Sequence, residues 1–148
     1  MFHQVPLLSY TSSSPSILLL SSAAAVIPAP TRSIYASTKS ASLMLYQALA
    51  IEHPLITFTS IISGTIEGDF RASAVDSPPG SSGAPTIHEA DPNEHGLKRE
   101  VVAARCIHAI DNKEKDVFLP LYFRAGHILY WIWPSYVEWR ARVKYNFR

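Results

Sequence analysis

Tyr35 and Lys39 form the pair in this chain whose types and spacing carry the clearest chemistry. Residues four apart on a helix lie on one face, so a phenol and an ammonium at these positions can enter the same site. An ammonium beside a phenol favours the phenolate. A phenol so tuned can pass a proton to or from a substrate oxygen near neutral pH. Ser22 stands thirteen residues before Tyr35, and its hydroxyl could hold that oxygen in place.

Three elements must position these groups. A continuous apolar run, Ile17 to Leu20, leads into Ser21 and Ser22. Such a run has the pattern of a parallel strand buried on both faces. A small-residue loop with Pro28 and Pro30 then carries the chain from Ser21 to Ser33. The pattern predicts a helix from Ser33 to His53, with Leu43, Met44, Ala48, Leu49 and Ile51 among its apolar positions and Pro54 as its stop. Ile56 to Ile62 reads as a second strand. Strand, helix and strand with a short return make a βαβ unit, parallel and right-handed. In a doubly wound sheet, ligands bind beyond the carboxyl ends of the strands. Ser22 and Gly64 fall at such ends.

The segment from Ser21 to Lys39, SSAAAVIPAPTRSIYASTK, resembles the active-site segment of the short-chain dehydrogenase/reductase family. The serine, the Tyr-x-x-x-Lys pair and the small residues Ala36, Ser37, Thr38 and Ala41 stand in that family's order and spacing. The two apolar runs lie where the family has strands. The second ends in Ser63-Gly64-Thr65-Ile66, which is similar to the family's Pro-Gly-x-Ile turn. The resemblance covers most of Ile17 to Leu119. It implies an α/β protein with a partial Rossmann fold, the C-terminal half of a doubly wound parallel sheet. It also implies an oxidoreductase that moves a hydride between the nicotinamide of NADP or NAD and a carbonyl or alcohol carbon. By the same resemblance, Tyr35 is the general acid/base. Lys39 tunes it and bonds the nicotinamide ribose. Ser22 fixes and polarises the substrate oxygen, and Gly64 to Ile66 offer backbone groups to the carboxamide. The family's tyrosine helix lies at a dimer interface, so a homodimer through this helix is implied.

The family's dinucleotide site begins with a strand, a Gly-rich turn and a helix, because bare backbone lets N–H groups approach phosphate. No Gly-x-x-x-Gly-x-Gly occurs in the 148 residues, nor does the family's Asn-Asn-Ala-Gly segment. Gly64 and Gly68 leave Phe70 at the third glycine position, and Glu67 and Asp69 would repel a pyrophosphate. Ser63 replaces the usual proline, and Gly68 stands where the family has a threonine that touches the cofactor. The chain therefore reads as the catalytic half of such a domain, expected to be inactive alone. Its Ile17–Leu20 strand is expected to expose an unpaired edge, which favours association. The alternative is a non-catalytic truncated remnant, acting as a dimerising or membrane-associated interaction protein.

Length and composition frame these readings. With 148 residues, 47% of them apolar and 17% charged, the chain can bury one real core. A net charge of +1 gives no electrostatic case for nucleic acid. The single cysteine, Cys106, allows no disulfide within the chain and suits a reducing compartment, the cytoplasm or the cytoplasmic or ER membrane surface. It reads as a small buried hydrophobe. Residues 1–120 are assigned to the α/β domain. Met1 to Leu8 reads as the tail of a helix, and Ser9 to Ser16 as a loop. Residues 73–96, rich in Ser, Pro, Gly and Asp, read as a long surface segment that in the resemblance covers the substrate. His88, Glu89, Asp91, Glu94 and His95 lie within it at no common zinc spacing, and no metal is expected. Leu97 to Asn112 reads as a helix on Leu97, Val101, Ala104, Ile107 or His108, and Ile110. Val117 to Leu119 reads as a closing strand.

Residues 121–148 form a tail dense in aromatics, among them Tyr122, Tyr130, Trp131, Trp133, Tyr136 and Trp139. Pro134 splits it into two short helices. A membrane span needs about 20 apolar residues, and Arg124, His127 and Glu138 interrupt this run. Arg140, Arg142, Lys144 and Arg148 follow. Aromatics beside basic residues suit a helix lying in a membrane interface, or else packing against the domain or a partner subunit. The tail is also similar to the membrane-associated branch of the family that reduces steroid and lipid ketones. That resemblance implies a small lipophilic carbonyl or alcohol substrate.

Overall fold

The apolar run before Ser22 forms strand β1 (Ser16–Ser22) in a computed structural model that describes residues 4–68 and 92–147. Helix α1 (Gln4–Thr11) precedes it, and one 3-10 turn (Ala23–Ala25) follows it. The chain continues through α2 (Ser33–Glu52), β2 (Thr57–Ser63), the short α3 (Pro92–His95), α4 (Arg99–Asp111) and β3 (Asp116–Leu119). Two helices close the chain, α5 (Tyr122–Ile132) and α6 (Pro134–Lys144). The architecture is α/β, with a three-stranded sheet in the order β1-β2-β3. Both pairings are parallel, and their register aligns Ser22, Ser63 and Leu119 at one end. The outer edge of β1 pairs with no other strand among the described residues.

Alternate residues of a strand point to opposite faces, and β2 uses both. Phe58 packs with Ile56 and with Leu49 of α2, flanked by Leu8, Ile17 and Tyr46. The Tyr46 ring meets Phe58 edge-on, with centroids 6.1 Å apart. On the other face Ile61 packs with Val117 and with Ala109 of α4, flanked by Leu18, Cys106 and Leu119. Full burial of a side chain such as Ile61 contributes about 1.5–3 kcal/mol. Desolvation raises the pKa of the Cys106 thiol, as burial does to any group that ionises to an anion.

Two buried hydroxyls in β2 are paired. Thr59 Oγ1 donates to the Glu114 carbonyl at 2.8 Å, and Ser63 Oγ donates to the Ser21 carbonyl at 3.3 Å. The Arg105 guanidinium grips the Glu114 carboxylate through two bonds of 2.8 and 2.6 Å. That grip holds the Glu114 carboxyl below its ordinary range. The Thr59 bond and the Ser60 N–H, which donates to the Lys115 carbonyl at 2.8 Å, fix the turn between α4 and β3 against β2.

Two sequence expectations are corrected. The repeat that marks α4 in the sequence includes Val101 and Ile107 or His108, yet Val101 and Ile107 are 60% and 62% exposed. The buried line is Val102 and Ala109, with Cys106 half-buried between them. The small side chains of Cys106 and Ala109 let the helix sit close to Ile61 and Val117, and close approach outweighs the bulkier stripe. Helix α1 also runs on to Thr11, past the expected end at Leu8. Thr11 Oγ1 donates to the Leu7 carbonyl at 2.9 Å in its last turn. His88, Glu89 and Asp91, like most of the 73–96 segment, lie outside the described residues.

The tail divides at Trp133–Pro134 as expected. His127 of α5 stacks on Phe118, with centroids 6.0 Å apart, and its Nδ1–H donates to the Val26 carbonyl at 3.1 Å. These contacts seat α5 beside the loop that follows β1. Among the described residues, no helix is long and apolar enough to cross a membrane.

Candidate active site

The three strand ends place Ser22, Gly64 and Pro120 along one rim of the sheet. Helix α2 is docked to that rim by two side chains. Lys39 Nζ donates to the Leu20 carbonyl at 3.2 Å, and Ser40 Oγ donates to the Ala25 carbonyl at 2.8 Å. The chain enters α2 through Thr31, whose φ of 66° is left-handed. A threonine there carries a backbone strain of about 1–2 kcal/mol.

Tyr35 and Lys39 are brought together as their spacing predicts. Lys39 Nζ lies 5.8 Å from the centre of the Tyr35 ring, within the range of a cation–π contact. Both side chains are half-buried, so the pair faces partly into solvent. One of the three ammonium donors is used by Leu20, which leaves two for a ligand.

Ser22 has an extended backbone and caps the 3-10 turn, its Oγ accepting the Ala24 N–H at 3.2 Å. Capping uses one lone pair and leaves the hydroxyl proton to donate. The cap thereby orients the hydroxyl without consuming its donor.

Gly64 plays a packing part that its motif did not signal. Its N–H donates to the Leu119 carbonyl at 2.6 Å, tying the end of β2 to the end of β3. A Cβ at this position would stand 2.6 Å from Cε2 of Phe123, so the glycine lets the start of α5 close down on the rim. Ile66 forms a single parallel bridge with Leu97. Leu97 bonds the Thr65 carbonyl and the Glu67 N–H, so the backbone groups of Ile66 face away from it.

Sequence reasoning missed three participants. Glu67 accepts from Lys98 Nζ at 2.8 Å and from the Arg99 N–H at 3.1 Å. The Lys98 bond first, then the Arg99 bond, pulls its carboxyl down to about 2. This clamp pins the turn after β2 to the start of α4. Ser21 Oγ is buried beside Ser22 and has no hydrogen-bond partner among the described residues. Phe123 shares an open groove of about 540 Å³ with Ile27, Pro28 and Val137, and Arg140 and Lys144 stand on its rim. The apolar run of α5 was the only signal of that groove in the sequence.

The turn after β1 does not fit a pyrophosphate. It carries a Cβ at every position from Ala23 to Ala25, and the Ala24 N–H is already bonded to Ser22. Tyr35, Lys39 and Ser22 stand together at the same rim. Comparison with protein-family models and with curated proteins finds no match to this chain.

Proposed function

We propose that this chain carries the catalytic side of an NAD(P)-dependent oxidoreductase of the short-chain dehydrogenase/reductase type, built on part of a Rossmann-like sheet. The observation that best supports this reading is the tether of Lys39 to the Leu20 carbonyl, which holds the ammonium 5.8 Å from the Tyr35 ring at the strand end that bears Ser22. A nicotinamide bound there supplies or accepts a hydride. Ser22 would donate a hydrogen bond to the substrate oxygen, keeping its own proton, and hold the carbonyl in place. Tyr35 gives its proton to that oxygen during reduction and takes one from the alcohol in the reverse direction. Lys39 stabilises the phenolate left behind and offers its remaining donors to ribose hydroxyls. The apolar groove formed by Ile27, Pro28, Phe123 and Val137 suits a lipophilic carbonyl or alcohol substrate.

A second reading rests on a separate observation. The outward face of α2 exposes Ile34, Met44, Leu45 and Ile51, at 60%, 67%, 37% and 79%. Such a stripe fits a non-catalytic protein that dimerises through this helix. Tyr35→Phe separates the two readings. Loss of the general acid/base lowers turnover by roughly 100-fold or more, whereas a purely dimerising protein keeps all its properties in this variant.

A further inference from the structure

The outward surface of α5 and α6 carries an exposed apolar and aromatic strip. Leu121, Ala125, Ile128 and Ile132 recur at steps of four, three and four, so they form one helical stripe. Leu121 is 70%, Ile128 50% and Ile132 77% exposed. The opposite side of α5 is the one that meets the fold, through His127 on Phe118 and Val26. The strip continues around the helix junction. The rings of Trp133 and Tyr136 lie 5.2 Å apart, and those of Tyr136 and Trp139 6.1 Å apart. Trp131, Trp133 and Trp139 are 78%, 58% and 55% exposed.

We infer that the α5–α6 pair lies flat on an anionic lipid surface, with this stripe at the boundary between headgroups and acyl chains. Residues 121–148 carry five basic side chains against one carboxylate, Glu138, in a chain whose net charge is +1. The other residues therefore sum to −3, and the positive charge is gathered on the tail. Tryptophan rings suit this boundary, because the ring body is apolar and the indole N–H stays wet. A second copy is a poorer occupant. Pairing two tails would bring two sets of five basic side chains near each other with only Glu138 of each to offset them. Each helix has 11 residues, and neither can span a bilayer. The helices therefore lie on the membrane rather than cross it. Arg140 and Lys144 also border the groove beside Ile27 and Phe123, so its rim would sit close to the lipid.

The test is flotation of the whole chain with phosphatidylcholine vesicles, with and without about 30% phosphatidylserine, at low salt where surface attraction is least screened. All three tryptophans of the chain lie in the tail, so intrinsic fluorescence reports on this surface alone. Partitioning should favour the anionic vesicles by roughly tenfold or more, and brominated acyl chains should quench the emission. The triple variant Arg140→Glu, Arg142→Glu, Lys144→Glu should bring anionic binding down to the neutral level. Raising the salt should do the same to the unaltered chain, which needs no variant to fold. Equal binding to both vesicles, or binding without quenching, overturns the inference. So does the absence of vesicle binding together with self-association that Ile128→Asp relieves.

Discussion

Replacing Ile61 with alanine probes the sheet that positions the candidate site. Ile61 is wholly buried, paired in register with Leu20 on one side and Val117 on the other. The substitution removes three carbons, a transfer loss of about 2.4 kcal/mol at 0.8 kcal/mol for each. A cavity term adds to this, because the surroundings cannot close the space. Ala109 and Cys106 opposite are too short to fill it, and Val117 is held by its branched Cβ on the neighbouring strand. The sum falls at about 3–5 kcal/mol. The control is the same deletion at Ile132, which is 77% exposed. It should cost within about 0.5 kcal/mol of nothing. Urea unfolding followed by far-UV circular dichroism reads both variants, with an unchanged slope and a shifted midpoint for Ile61→Ala. The corresponding fall in Tm is roughly 10 °C. If the two variants unfold within about 1 kcal/mol of each other, Ile61 is not the centre of a packed core and the reasoning fails.

Two further outcomes follow from contacts at the rim. Gly64→Ala sets a methyl 2.6 Å from the Phe123 ring; it should cost about 1–3 kcal/mol, read as a lower Tm, and Phe123→Leu in the same chain should recover part of the loss. The Glu67 carboxyl is lowered from 4.5 to about 2 in the folded protein, so its contribution to stability is complete above 4.5 and is lost as the pH falls toward 2. Acid unfolding of Glu67→Gln should lack the part of the pH dependence within that window; a profile matching the unaltered protein would show that Glu67 does not clamp the turn.

The elements were legible wherever one local pattern sufficed. The apolar run Ile17–Leu20 marked β1, the Pro28 and Pro30 loop marked the approach to α2, and Pro134 marked the break between α5 and α6. Tyr35 and Lys39 share a face because four residues on a helix always do. What the sequence concealed depends on distant partners. The line of α4 that faces the core could not be chosen from α4 alone, since bulk favoured Val101 and Ile107 while the fit to Ile61 and Val117 favoured Ala109. Glu67 read as a charge that repels phosphate, because Lys98 lies 31 residues away and gave no local sign of the clamp. The same limit applies to Gly64, whose motif pointed to a ligand while its neighbours are Leu119 and Phe123.

On the proposed function, Tyr35 transfers a proton in a nicotinamide-linked reaction. The most direct measurement is NADPH- or NADH-dependent reduction of lipophilic ketones by the protein isolated from its source cells, compared with the same protein carrying Tyr35→Phe. Turnover is expected in the native preparation, with a loss of roughly 100-fold or more in the variant, its fold intact by circular dichroism. This chain on its own is expected to show no turnover; equal turnover of the native preparation with and without Tyr35→Phe would contradict the role given to Tyr35.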